Sequence, residues 1–309
     1  MPSNSSLPAN PAASLIIVRE VPASAHGTLQ VLLMERHASA SNFPGALVFP
    51  GGKVEAGDAA IAAASGFDRH WQALAPRLAG HGLTREAMAA LYGAALRETA
   101  EEAGLLWLEP DAPRPAQSFQ PSQSRPNQPA LLPLLRRQLA SGGDWCQICA
   151  QWQLHTSVQG MEPFSRWITP LSPNMSVKRF DTWFFLALMP EGQQARADGQ
   201  EAQRLVWASP AALLQQYVAG EVALAPPQIM TLAHLARFAS LQNLQQHARE
   251  QAPHLVAPVS LQHEGERMVC FPGDALHPQP VAAMPGPTRL VLRDGRFVPP
   301  GGWETLLDG

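Results

Sequence analysis

Glu98, Glu101 and Glu102 stand at i, i+3 and i+4, so on a helix their carboxylates share one face. Three anions held that close repel one another, and the natural neutraliser is a hard, oxygen-seeking cation such as Mg²⁺ or Mn²⁺. Upstream, Phe49-Pro50-Gly51-Gly52-Lys53-Val54-Glu55-Ala56-Gly57-Asp58 supplies a second element. Glycines at 51 and 52 let the backbone pass close to a ligand with its amides or carbonyls exposed. The glycine turn and the acidic helix could meet around a metal-bound diphosphate. Taken alone, E-x-x-E-E reads as a solvated acidic face, and Pro-Gly-Gly as an ordinary tight turn. Their occurrence in one stretch, Phe49 to Leu105, favours the chemical reading.

The elements that must position these groups are marked around them. Met88, Leu91, Tyr92, Ala95, Thr99 and Ala103 form an apolar stripe beside the acidic face, so the helix can dock on a core and still hold carboxylates toward a cleft. Thr84 is a good cap for its start, and Gly104 followed by Leu105 fits a left-handed cap at its end. Asp58 is placed to cap a short alanine-rich helix, and Phe67 to Leu78 has the aromatic and leucine spacing of another. Ser14 to Arg19, Gln30 to Met34 and Ala46 to Phe49 read as strands, the second leading toward the glycine turn.

With these residues assembled, the sequence resembles the Nudix hydrolases, whose box reads G-x5-E-x7-R-E-U-x-E-E-x-G-U, U being aliphatic. Gly52 takes the first position, Asp58 the place of the first Glu, and Arg97, Glu98, Glu101, Glu102, Gly104 and Leu105 match the second half. Asp58 is one methylene short, Thr99 is only half aliphatic, and the spacer before Arg97 is longer by roughly thirty residues. A box interrupted in this way is similar to the coenzyme A diphosphatase branch of the family. The related coenzyme A signature is partly present: Leu32, Leu33, Arg36, Gly45 and Phe49-Pro50-Gly51-Gly52 align, while Met34, His37 and Ser41 depart from it.

The resemblance implies an α-β-α sandwich with a mixed sheet, enlarged by a helical insertion over about 59–83 and a C-terminal β appendage. It implies metal held by Glu98, Glu101, Glu102 and a glycine carbonyl at Gly51 or Gly52, with Arg97 tying the helix to Asp58. The expected reaction is hydrolysis of a nucleoside diphosphate derivative, first of all coenzyme A or an acyl ester. NADH, ADP-ribose and nucleotide-sugar diphosphatases are the alternatives, as is a Nudix nucleotide sensor that does not cleave; a sensor would usually have lost the box carboxylates. Arg36, Lys178 and Arg179 are the candidate cations for an anionic substrate. Glu201, with Glu162 and Glu191 as competitors, is the candidate for a further carboxylate beyond the box.

The rest of the chain bounds these expectations. Its 309 residues are 46% apolar and 15% charged with a formal charge of -3, which gives no general attraction to nucleic acid or membranes. No basic patch interleaved with aromatics suits RNA. Three cysteines do not make a disulfide framework, and residues 1–11 read as a disordered tail and not a leader, so a cytoplasmic address is expected. The oligomeric state stays open. Cys146 and Cys149 have the half-site spacing of a zinc ligand pair, but two sulfurs packed on a core helix is the reading preferred. A Pro/Gln-rich loop is expected over about 110–129, the hydrolase domain over 12–250, and β structure over 251–309, with Asp294-Gly295 as a hairpin turn. Phe271-Pro272-Gly273-Asp274 echoes the glycine turn with no acidic helix after it, and so reads as turn chemistry.

Overall fold

The computed structural model describes residues 8–24, 27–40, 43–109, 128–170 and 178–306. The tail expected over 1–11 lies outside the described residues as far as residue 7, and so does most of the Pro/Gln-rich interval. From Asn10 the chain is already a strand.

In chain order the elements are β1 (Asn10–Ser24), β2 (Gly27–Arg36), β3 (Leu47–Val48), β4 (Gly51–Lys53), α1 (Asp58–Ala64), α2 (Phe67–Leu78), α3 (Arg85–Glu102), α4 (Gln128–Ala140) and α5 (Trp145–Trp152). There follow β5 (Glu162–Ile168), β6 (Phe180–Leu188), β7 (Ala202–Ala208), α6 (Pro210–Ala219), α7 (Pro226–Leu235), α8 (Leu241–Glu250) and β8 (His254–Val256). The chain closes with β9 (Val259–His263), β10 (Glu266–Cys270), β11 (Arg289–Arg293) and β12 (Arg296–Val298).

A mixed sheet runs β3-β2-β1-β6-β5-β8, with β4 on β1 and β7 on β2. β1 lies at its centre, parallel to β6, with Ser14 opposite Phe184 and Ile16 opposite Leu186. Leu15 and Ile17 of β1 pack on one face, with α1, α2, α3 and α5, while Ile16 and Val18 pack on the other, with α6, α7 and α8. A strand covered on both faces must be apolar throughout, which is why Leu15-Ile16-Ile17-Val18 carries no polar residue. The sandwich expected from the sequence is therefore present. β8 joins its edge parallel to β5, so the appendage proper is the four-stranded sheet β12-β11-β10-β9. Asp294 and Gly295 both have positive φ, 49° and 76°, as the tight β11-β12 hairpin requires.

The helix α3 is built as its sequence suggested. Thr84 Oγ1 accepts from the Ala87 amide at 3.1 Å, Gly104 has a φ of 69°, and Leu105 is buried beyond it. All six stripe residues, Met88 to Ala103, are buried. The Tyr92 ring lies 4.4 Å from that of Phe185 and 5.3 Å from that of Phe67, so α2 of the insertion joins the same core. One expectation needs correction. Asp58 is the first residue of α1 and not its cap, which is Gly57; its carboxylate is drawn instead to the Glu55 amide, 2.7 Å away, and to Arg97. Cys146 and Cys149 both lie on α5. Burial pushes the Cys149 thiol up to about 12, so it stays protonated and packs as a small apolar group.

Candidate active site

The last turn of α3 meets the glycine turn through backbone made possible by two glycines. Gly51 and Gly52 of β4 pair with Ser14 and Ala13 of β1. Gly51 has a φ of 151°, and a Cβ there would fall 2.1 Å from the Ala13 carbonyl oxygen. At Gly52 a Cβ would fall 2.2 Å from Glu98 Oε1. Only glycine lets this strand lie against the carboxylates. The Gly51 amide donates to Glu102 Oε2 at 2.7 Å, so the turn and the helix are joined directly.

Arg97 organises the rest. Its Nε and Nη2 donate to the two oxygens of Asp58 at 2.9 and 3.1 Å, a planar fork on a planar acceptor. Nη1 donates to Glu98 Oε1 at 3.0 Å and Nη2 also reaches the Lys53 carbonyl at 3.0 Å. Glu101 Oε2 lies 3.7 Å from Nη1. Asp58 is only 1% exposed, so the shorter side chain reaches Arg97 fully because α1 lies close on α3: at Gly93 a Cβ would come within 1.8 Å of the Asp58 carbonyl oxygen. The insertion thereby brings its two ends together.

One guanidinium does not neutralise three glutamates. Burial pushes the Glu98 carboxyl up to about 7, against the pull of Arg97 and with help from Glu101 and Glu201. Burial likewise raises Glu101, with Arg97 opposing and Glu55 and Glu201 adding to the rise. Glu102 stands well above the usual carboxylate range, chiefly through burial and then through the Glu98 charge, with the Gly51 amide opposing. The three carboxylates offer oxygen donors alone, a donor set that fits a hard divalent cation such as Mg²⁺ or Mn²⁺.

Of the residues singled out in the sequence, Arg97, Glu98, Glu101, Glu102, Asp58, Gly51 and Gly52 come together. Glu201 is exposed beside them, and its charge raises all three glutamates. Its competitor Glu162 instead pairs with Arg77 at 2.9 Å. Arg36 ends β2, where it pairs in register with Ala202 next to Glu201; its Nε is buried with no hydrogen-bond partner among the described residues. Lys178 is exposed at the start of β6, and Arg179 Nε donates to the Thr169 carbonyl at 3.0 Å, so Arg179 frames the strand end. Asp198 and Glu55, which no motif marked, add negative charge at Glu102 and Glu101 respectively. Asp198 also accepts from the Glu201 amide at 3.1 Å, which sets the turn that delivers Glu201.

Known proteins are similar to this chain in sequence and in fold. A family model described as the NUDT19 Nudix domain matches residues 86–235, from α3 to α7. The acyl-coenzyme A diphosphatase NUDT19 of Gallus gallus is 29% identical over 286 residues, spanning 81% of this chain and 73% of that protein. Its Homo sapiens namesake is 31% identical over 150 residues, 48% of this chain and 40% of that protein. A crystal structure of a Nudix hydrolase from Alicyclobacillus acidocaldarius superimposes with a TM-score of 0.58 at 23% identity, covering 78% of this chain and 97% of that one, which establishes the shared fold. The helix that carries the carboxylates and Arg97 falls within the matched residues, and in sequence and fold the chain is similar to the Nudix hydrolases, with NUDT19 acyl-coenzyme A diphosphatases among the relatives it matches.

Proposed function

We propose that this centre hydrolyses the diphosphate linkage of a nucleoside diphosphate derivative, with coenzyme A and its acyl esters as the substrate class. The observation that carries the reading is the gathering of Asp58, Glu98, Glu101 and Glu102 around the one Arg97 guanidinium and the Gly51 amide where α3 meets Gly51-Gly52. The relatives named as acyl-coenzyme A diphosphatases support the choice of substrate.

In this reading Glu98, Glu101, Glu102 and the Gly52 carbonyl would hold Mg²⁺ or Mn²⁺, which would supply charge stabilisation and a more acidic water. Arg97 touches no substrate; it keeps Glu98 aimed while Asp58 fixes the guanidinium. The Gly51 amide orients Glu102. Glu201, exposed at the edge of the cluster, takes the proton from the attacking water. Arg36, at the end of β2 beside Glu201, adds positive charge for an anionic substrate, as do Lys178 and Arg179 at the mouth of β6.

The experiment is product analysis by mass spectrometry after incubation with Mg²⁺ or Mn²⁺ and coenzyme A, acetyl-coenzyme A, NADH, ADP-ribose or a nucleotide sugar. Adenosine 3',5'-bisphosphate together with phosphopantetheine or its acetyl ester is the expected outcome. Cleavage of another compound alone would remove coenzyme A and keep diphosphate hydrolysis. Binding with no cleavage of any of them would replace the enzyme reading of this centre with a sensor.

A further inference from the structure

On the face of the sheet opposite α3, three histidines converge from three elements: His234 of α7, His247 of α8 and His254 at the start of β8. One ring nitrogen of each lies within 4.8 Å of one from each of the others. The ring centroids are 5.3 Å apart for His234 and His247, 5.0 Å for His234 and His254, and 6.1 Å for His247 and His254. Phe164 stacks on His234 at 5.1 Å, and Phe238 packs at 5.4 Å from His234 and 5.0 Å from His247. The cluster is therefore walled by aromatic rings.

His234 is 2% exposed, and both His234 Nδ1 and His254 Nε2 are buried with no hydrogen-bond partner among the described residues. Leaving a buried polar atom unpaired costs about 1–3 kcal/mol, and here two such atoms occur in one cluster. The His234 ring is buried beside His254, His247 and Arg237. Arg237 opposes any cation at this place and will weaken binding below that of a site with no neighbouring charge.

We propose that His234, His247 and His254 form a zinc-class metal site, separate from the carboxylate centre, that pins α7, α8 and β8 together. Three imidazoles select a borderline transition metal such as Zn²⁺ or Co²⁺ over Mg²⁺, which requires oxygen. With three protein ligands, the fourth position of a tetrahedral ion falls to water.

The test uses the full chain, stripped with a chelator and kept in excess Mg²⁺ so that the carboxylates are engaged, then titrated with Co²⁺ alone. Saturable visible absorption at one equivalent, displaced by Zn²⁺, is expected, along with a rise of a few degrees in Tm on adding Zn²⁺. His247→Gln and His254→Gln each remove the absorption and the Tm rise, while Glu102→Gln leaves both in place. His247 and His254 are only half-buried, and circular dichroism identifies whichever variant keeps the fold. Wild-type protein with no saturable absorption, or a folded histidine variant that titrates like the wild type, overturns the site.

Discussion

Of the aspartate-arginine forks among the described residues, two stand near a turn that begins Phe-Pro-Gly. Arg97 grips Asp58 at 2.9 and 3.1 Å, and Arg289 grips Asp274 at 2.9 and 2.6 Å. The second fork serves its own loop. Asp274 also accepts from the Leu276 amide at 2.8 Å and from Thr288, so its bonds stay within the appendage. The first fork hands on its remaining N–H groups to Glu98 and to the Lys53 carbonyl. Beyond it stand three glutamates whose charge one guanidinium does not balance. A buried ion pair therefore marks architecture in both places; uncompensated charge next to the pair is what distinguishes a chemical centre from a well-made turn.

That contrast can be broken in four ways. The largest effect is expected from Glu102→Gln, which keeps the shape and removes an anion. Turnover should fall by about 10³-fold or more, since charge stabilisation of several kcal/mol is at stake, while Tm stays the same or rises as repulsion is relieved. An unchanged kcat in a steady-state assay would strip Glu102 of its role. Arg97→Ala comes next. It leaves Asp58 buried and unpaired, so denaturant melts should show a loss of about 3–5 kcal/mol, and the residual folded enzyme should be impaired because Glu98 is no longer aimed.

Arg289→Ala tests the other fork. Asp274 keeps the Leu276 amide, so the expected cost is smaller, about 1–3 kcal/mol in the same melts, and turnover per folded molecule should match the wild type. A drop in turnover with the fold intact would give the appendage a part in the reaction. The smallest effect is in acid. Burial raises the Asp274 pKa, but the Arg289 hydrogen bonds and the Leu276 amide outweigh it and leave it below the ordinary value. A carboxyl held low in the folded state binds fewer protons than in the unfolded one, so its contribution is present above about pH 3.9 and is lost as pH falls below that. Melting curves of wild type and Arg289→Ala should converge in that acid range; parallel curves would mean that the fork does not set the pKa.

The helices and strands nearest the centre are legible in the sequence because their signals are local. Thr84 and Gly104 delimit α3 through contacts and backbone angles confined to its own ends, and the stripe between them is buried. Asp294-Gly295 marks its hairpin by the backbone angles it needs. The strand β5 carries no such mark, and the Ser240 cap of α8, whose Oγ accepts from the Asn243 amide at 3.1 Å, is not joined by an apolar stripe. Glu162-Pro163-Phe164-Ser165 holds a proline and a bulge, and α8 is polar over most of its length, with Leu244 and Ala248 its buried residues. Asp58 reads locally as a helix cap, because its contact with Arg97 leaves no trace in the residues around it.

By itself the sequence determined the carboxylate face, its cap and the arginine beside it, because residues three and four apart on one helix are neighbours in any fold. Only the tertiary structure decided how Asp58 reaches across 38 intervening residues to Arg97, that Glu201 rather than Glu162 stands with the glutamates, and that His234, His247 and His254 meet. Those contacts depend on the packing of α1 against α3 and on the register of β2 with β7 and of β5 with β8. Strand pairing is settled by burial on both faces of the sheet, which no single segment specifies.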